Sequence, residues 1–184
     1  SGVGFIWGKL FNREFLIRNN LLLNDNLTAA EDAEFMLRTA FYADRVSFVA
    51  KSLYNYLHNT VSAVRSFRTD YVERYRKSLS VMFDFLVDNG LSKHLVTYDN
   101  CVLYHLLLIV VNYSFNPARG DTKKEQTAAF KKLVKDPFFA NAMKSLRLKD
   151  FSMTRKITLI CIKLKMYRMV RLIALFRQKQ TGTS

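Results

Sequence analysis

Three motifs in the first third of the chain stand out from the rest: Trp7-Gly8-Lys9-Leu10-Phe11, Thr28-Ala29-Ala30-Glu31-Asp32-Ala33-Glu34-Phe35 and Leu53-Tyr54-Asn55-Tyr56-Leu57-His58-Asn59. They hold polar and aromatic residues of the kinds that form binding and catalytic sites, whereas the remainder has the pattern of packed helices and a basic tail. The interpretation of the chain depends on whether Glu31 and Asp32 form a catalytic pair or only begin a helix.

The composition is that of a helical protein with a packed core. The chain has 184 residues, enough for one domain or for part of a larger protein. Hydrophobic residues make up 49% and aromatic residues 14%, which argues against disorder, and only two prolines and six glycines favour helices over a turn-rich β fold. The first residues, Ser-Gly-Val-Gly, contain neither Met nor a signal sequence, which predicts that a segment precedes them.

The net charge of +14 predicts an anionic partner: nucleic acid, a sugar nucleotide or a negatively charged membrane. The charge does not gather around a recognisable DNA- or RNA-binding motif, which argues against nucleic acid. Cys101 and Cys161 lie far apart in apolar surroundings, a pattern typical of buried free thiols in a reducing compartment.

Local patterns predict two helices and two strands before residue 60. A short helix is expected within residues 5–18. The sequence Thr-x-x-Glu at Thr28–Glu31 matches a capping box and predicts a helix over 29–43. Alternating branched and aromatic residues predict short strands at Arg45–Val49 and Ser52–His58.

Beyond residue 70 the apolar residues recur at helical spacing, and the predicted helices are 70–88, 91–115, 123–135 and 137–146. The apolar centre of 91–115 is too short for a membrane span, so we expect a buried core helix.

The tail from Phe151 has eight Lys and Arg residues and no acidic residue, and it predicts one basic amphipathic helix. Its apolar side consists of Leu159, Ile162, Met166, Met169, Ile173 and Phe176. This side could pack on the core, or it could contact a membrane, and the expected membrane contacts are then Lys156, Lys163, Arg168 and Arg171. From Gln178 onward we expect a frayed end.

Several residues have both a catalytic and a structural interpretation. Glu31 and Asp32 could supply a general base, or Glu31 could close the capping box while Asp32 complements the helix dipole. His58, with Asn59 after it, could contact a metal or a phosphate, but a lone histidine is more often structural. Trp7 could stack on a sugar or anchor the core. No Gly-rich phosphate loop and no Asp-x-Asp is present.

Taken together, the motifs resemble the C-terminal part of the family-2 glycosyltransferase domain. That family often has Trp-x-Lys-Leu-Tyr/Phe, then Glu-Asp with Phe three positions after the Asp, then Tyr-x-Tyr and a later Ser. The corresponding residues here are Trp7–Phe11, Glu31 and Asp32 with Phe35, and Tyr54–Tyr56 with Ser62, within residues 5–65.

The resemblance implies a mainly α chain with two or three short β-strands, the C-terminal fragment of an α/β fold of the GT-A type followed by a helical extension. The implied divisions are 1–65 for the catalytic part, 66–150 for the extension and 151–184 for the basic tail. The nucleotide-binding half, with the Asp-x-Asp that holds Mg or Mn, is expected upstream of residue 1, so the chain alone is expected to be inactive.

The implied function is inverting transfer of a sugar from a nucleotide-diphosphate donor to a carbohydrate or lipid-linked acceptor, in surface polysaccharide synthesis. Asp32 resembles the catalytic base; Glu31, Trp7 and Lys9 would lie near the acceptor, and His58 and Asn59 near the donor diphosphate or metal. We expect a cytoplasmic enzyme, peripheral at the inner face of the plasma membrane. The alternative is a noncatalytic basic helical module that binds anionic membrane or nucleic acid.

Overall fold

The computed structural model describes residues 4–55 and 67–180, and all of its regular elements are helical. The α-helices are α1 (Arg13–Arg18), α2 (Glu31–Tyr42), α3 (Tyr71–Asp88), α4 (Leu95–Ile109), α5 (Lys123–Lys135), α6 (Pro137–Lys144), α7 (Met153–Lys163) and α8 (Tyr167–Gln180). Short 3₁₀ turns lie at Ser92–His94, Pro117–Arg119 and Leu148–Asp150, and a π-helix at Val110–Ser114 continues α4.

The predicted strands are wrong. Over residues 4–55 and 67–180 no strand forms, so the expectation of two or three strands from an α/β GT-A fragment is corrected to a helical fold. Val46 and Phe48 are 88% and 90% exposed, which means that the alternating residues face solvent and not a sheet. Strand propensity needs a partner strand and a surface to cover, and the described residues provide neither. The part of the second predicted strand from Tyr56 to His58 lies outside the described residues.

Contacts divide the chain into two units. The first contains the described residues up to 55 and the middle of α3, Glu73–Phe85; the second contains 67–72 and all described residues from Leu86 onward.

In the first unit, the middle of α3 supplies much of the core. Its buried side chains are Tyr75, Leu79 and Met82, and Leu21, Leu27 and Phe35 are buried in the same unit. Asn12 caps α1 by accepting a hydrogen bond from the Phe15 N–H, and α1 lies within residues 5–18, where the sequence predicted a short helix. The result is a small helical core with a long exposed segment, 44–55, on its surface.

The second unit is built around α4, which contacts α6 and α7. Phe115, Phe130 and Phe139 are fully buried within it. The helices predicted at 123–135 and 137–146 are confirmed, and the first begins with a true capping box between Thr122 and Glu125.

The segment Ser92–Ser114 has the length and the mean hydropathy, 1.4, of a helix that could cross a membrane, judged on those two properties alone. Its residues Val102, Leu103, Leu106 and Ile109 are nonetheless buried inside the unit, as in a core helix.

The basic tail forms two helices, where the sequence predicted one. Lys165 adopts φ +58°, and the chain turns between α7 and α8 there. This turn changes the helical phase, so the predicted single apolar side is divided: Leu159 and Ile162 are buried, whereas Met169 and Phe176 are exposed. The expected fraying does not occur at Gln178, which is 2% exposed within α8 and donates hydrogen bonds to the carbonyls of Val111 and Phe115. The rest of that prediction, from 181 onward, lies outside the described residues.

Candidate active site

The start of α2 is the centre of the candidate site, and it differs from the prediction. Helix α2 begins at Glu31, its N-cap Ala30 has φ +55°, and no side chain caps it. The capping box predicted between Thr28 and Glu31 is therefore wrong. The left-handed conformation of Ala30 turns the preceding loop away from the helix axis, so Thr28 is not in the N-cap position.

Helix α3 holds this loop. Arg74 donates hydrogen bonds to both oxygens of Thr28: its Nε lies 2.7 Å from Thr28 Oγ1, and a terminal nitrogen contacts the Thr28 carbonyl. The Ser78 hydroxyl donates to the carbonyl of Ala29. These contacts take up the polar groups that would otherwise cap α2, and they fix the residues immediately before Glu31 and Asp32.

Glu31 and Asp32 lie half-buried in the first turn of α2. The ion pairs among residues 4–55 and 67–180 do not include either carboxylate, and no side-chain hydrogen bond caps the helix there. The partial positive charge at a helix N-terminus favours carboxylates in this turn. Because Glu31 does not close a capping box, both carboxylates remain candidates for binding a ligand.

A third acid in the same turn, Glu34, has a structural role. It is 3% exposed, and both its oxygens contact Arg38, at 2.6 and 2.9 Å. Arg38 also donates to the carbonyl of Leu22 at 2.6 Å. The pair ties α2 to the segment after α1, so of the three acids only Glu31 and Asp32 remain candidates for chemistry.

Ring contacts bring the three motifs together. Phe11 of the first motif packs edge-to-face on Phe35 of α2, with ring centroids 5.5 Å apart. Trp7 stacks on Tyr54 of the third motif at 5.6 Å. Gly8, at φ +69°, lies against Tyr54, where an added Cβ would come within 3.8 Å of the tyrosine Cβ. Residues 24 and 47 positions apart in sequence thus meet in one unit.

The aromatic contacts form a stack of three rings. Phe5 and Trp7 are nearly parallel with centroids 4.7 Å apart, and Tyr54 continues the stack. All three rings are between 38% and 50% exposed, so Trp7 is neither a buried core residue nor fully in solvent. Lys9 folds back and donates to the carbonyl of Phe5, which fixes the turn below the stack. Half-exposed Trp and Tyr rings combine an apolar body with a polar tip, which suits them to a binding surface.

The remaining predicted site residues have different placements. His58 and Asn59 lie outside the described residues. Lys156, Lys163 and Arg168 are at least partly exposed on α7 and α8. Arg171 is half-buried and, three residues after Arg168, lies on the same side of α8 by helical spacing.

The described residues do not fit a metal site: over 4–55 and 67–180, no three His, Cys, Asp or Glu side chains gather as ligands would.

Arg74 and Ser78 were not found from the sequence. They lie on a predicted helix more than 40 residues from the loop that they hold, and no local pattern marks such a contact. The Glu34–Arg38 pair could have been found from the sequence, since an acidic residue four positions before a basic residue is a favourable spacing on a helix.

No family model, curated protein or solved structure matches this chain.

Proposed function

We propose that this chain supplies the acceptor side of a glycosyltransferase, with Asp32 as the catalytic base. The observation that carries the proposal is the convergence of the three motifs in the first unit through the Phe11–Phe35 and Trp7–Tyr54 contacts. The proposal concerns the chemistry of these residues alone and does not include the β-sheet of a GT-A fold.

In the proposed reaction, the Asp32 carboxylate takes the proton of an acceptor hydroxyl. The acceptor oxygen then forms a bond to the anomeric carbon of the donor sugar, while the bond from that carbon to the nucleoside diphosphate breaks. The bond electrons leave with the diphosphate, and the anomeric configuration inverts. A base in this position must be held within hydrogen-bonding distance of the hydroxyl, and the Arg74 and Ser78 contacts to the preceding loop hold the start of α2.

The exposed ring stack gives the acceptor a surface. The apolar faces of pyranose rings pack on flat aromatic side chains, and the half-exposed rings of Phe5 and Tyr54, each stacked on Trp7, would receive such a face. Carbohydrate and lipid-linked sugars share this chemistry, so the acceptor class is a sugar hydroxyl. The proposed role is surface polysaccharide synthesis in the cytoplasm.

The donor nucleotide requires groups that these residues lack. The sequence has no Asp-x-Asp, and the described residues have no three-ligand cluster. Mg or Mn and the nucleotide are therefore assigned to residues other than the described ones, and the test must use the complete polypeptide that carries this sequence.

The test is sugar transfer by Asp32→Asn in that polypeptide, against a panel of nucleotide-sugar donors. The amide keeps the shape of the side chain and removes the base, so transfer is expected to fall by about a hundredfold to ten-thousandfold. Asp44→Asn, in an exposed loop of the same unit, is the matched control and should leave transfer unchanged.

Folding is checked by the urea midpoint of each variant, read from far-ultraviolet circular dichroism. Near-normal transfer by Asp32→Asn, or an equal loss in Asp44→Asn, would refute the assignment of the base. Absence of transfer with every donor would favour the second candidate, a noncatalytic basic helical module, whose support is the net charge of +14.

A further inference from the structure

Helices α7 and α8 have apolar side chains on two opposite sides. One side is buried and includes Leu159 and Ile162 of α7 and Val170 and Ala174 of α8. The other side is exposed. On α7 it consists of Met153, Ile157, Ile160 and Leu164, which are 70%, 48%, 38% and 64% exposed. On α8 it consists of Met169, Leu172 and Phe176, which are 44%, 57% and 62% exposed.

These exposed residues form one surface. On each helix they recur at intervals of three and four residues, which places them on a single face. The helices pack against each other, and Ile157, Leu172 and Phe176 line the same groove between them. We call these seven side chains the apolar surface. Scattered exposed apolar residues are normal, but a contiguous set of this size indicates a contact with something apolar.

Cations border the apolar surface. By helical spacing, Lys156 and Lys163 flank the exposed residues of α7, and Arg168 and Lys179 flank those of α8. The sequence from Phe151 onward has no Asp or Glu, so nothing there neutralises these charges.

Two arginines add positive charge at the groove. Arg177 lines the groove, and Arg155 lies over the ring of Tyr104, with its guanidinium carbon 4.7 Å from the ring centroid. Burial lowers the pKa of Arg177, and repulsion from Arg155 lowers it further, while Tyr104 acts in the opposite direction. An anionic group at the groove would reduce this repulsion.

We propose that the apolar surface of α7 and α8 binds an anionic lipid bilayer, with the helices in the plane of the interface. The seven apolar side chains would enter the acyl boundary, and the flanking cations would contact lipid phosphates. A bilayer matches both properties of the surface. A second copy of the chain would bring like charges together, and a nucleic acid would leave the apolar residues in water. The inference is independent of Asp32 and of the proposed reaction.

The experiment is sedimentation of the full chain with vesicles of phosphatidylcholine alone and of phosphatidylcholine mixed with phosphatidylglycerol. Binding is expected only to the mixed vesicles, and it should weaken as salt is raised, because salt screens the charges.

Two variants separate the contributions of apolar contact and charge. Ile157→Ser/Leu172→Ser/Phe176→Ser should weaken binding by about tenfold for each side chain removed. Lys156→Gln/Lys163→Gln/Arg168→Gln should weaken binding by about fivefold for each cation, or about a hundredfold in total. All six side chains are at least partly exposed, so the fold should persist, and circular dichroism checks that it does.

Helix α5 provides a matched control. Lys123→Gln/Lys124→Gln/Lys132→Gln removes the same charge from exposed positions on a helix that, over its described length, exposes no large hydrophobic side chain. This control is expected to weaken binding by less than about fivefold in total, because its charges do not border an apolar surface.

The proposal is overturned if the wild-type chain does not bind mixed vesicles at low salt. It is also overturned if the serine variant binds as tightly as the wild type, or if the α5 control loses as much binding as the α7–α8 charge variant. Self-association that the serine variant abolishes, in a chain that ignores vesicles, would assign the surface to a second copy.

Discussion

The Glu34–Arg38 pair gives the sharpest stability prediction for the helix that carries the candidate base. Glu34 is 3% exposed, and Arg38 pairs with both of its carboxylate oxygens, at 2.6 and 2.9 Å. The substitution Arg38→Met removes the cation, keeps much of the side-chain volume and leaves a carboxylate buried without a charge partner.

The size of the effect follows from burial. Removing one partner of a buried ion pair destabilises a protein by about 3–5 kcal/mol, because the remaining charge is desolvated and uncompensated. The Arg38 side chain is 18% exposed, so water can approach the vacated position, and we expect the lower end, about 3 kcal/mol. The reverse change, Glu34→Met, should cost less, about 1–2 kcal/mol, because Arg38 keeps its bond to the Leu22 carbonyl and can reach solvent.

The double variant Glu34→Met/Arg38→Met tests the cause. If the loss comes from a stranded charge, removing both charges restores stability to within about 1 kcal/mol of the wild type. The free energy of unfolding is measured in urea by the fluorescence of Trp7, which lies in the same unit as the pair.

Two results would refute this reasoning. One is a loss below about 1 kcal/mol for Arg38→Met, which is the range of an exposed ion pair. The other is a double variant that is as unstable as the sum of the two single variants, since the charges would then not be coupled.

Three further predictions concern the loop before α2 and the core of the second unit. Ala30→Gly should raise the free energy of unfolding, measured in urea, by about 0.5–1 kcal/mol, because φ +55° is strained for alanine. The control Ala29→Gly should not raise it. Arg74→Gln should lower the kcat of transfer by about tenfold to a hundredfold with little change in the urea midpoint, since a misplaced base costs rate; an unchanged kcat would contradict the positioning role. Burial lowers the pKa of His105, while its Nδ1–H bond to the Cys101 carbonyl acts in the opposite direction. The unfolded state therefore binds the proton first on acidification, and stability should fall below about pH 6.5 by at most about 1.4 kcal/mol per pH unit. The free energy of unfolding, measured in urea between about pH 7 and 5, should depend less on pH in His105→Gln than in the wild type.

The helices of the second unit were predictable because their signals are local. The Asp88-Asn89-Gly90 stop after α3 is read directly from the sequence, and Gly90 adopts φ +67° there. The core role of 91–115 follows from its apolar centre. The strands at 45–49 and 52–58 were wrong because alternation describes what a residue prefers beside a partner strand, and the described residues provide no partner.

The candidate site was only partly predictable. Asp32, Glu31 and Trp7 were named from their motifs, and the ring contacts bring Trp7 to Tyr54 and Phe11 to Phe35. The sequence could not show that Thr28 would be bound by α3 and not cap α2. The sequence Thr-x-x-Glu is compatible both with a capping box and with a loop that a distant helix binds. Which of the two forms depends on whether a donor such as Arg74 lies within reach of the threonine.

The sequence by itself determined the helical character, the ends of most helices, the buried apolar centre of α4 and the acid-free basic tail, because each follows from the spacing of residues along one helix. Tertiary structure decided the rest. It turned the tail at Lys165, so that a second apolar row faces outward. It also left the start of α2, with Glu31 and Asp32, without a side-chain cap, after a loop that Arg74 and Ser78 hold. These outcomes depend on contacts between residues far apart in the chain, and no periodicity within one segment encodes such contacts.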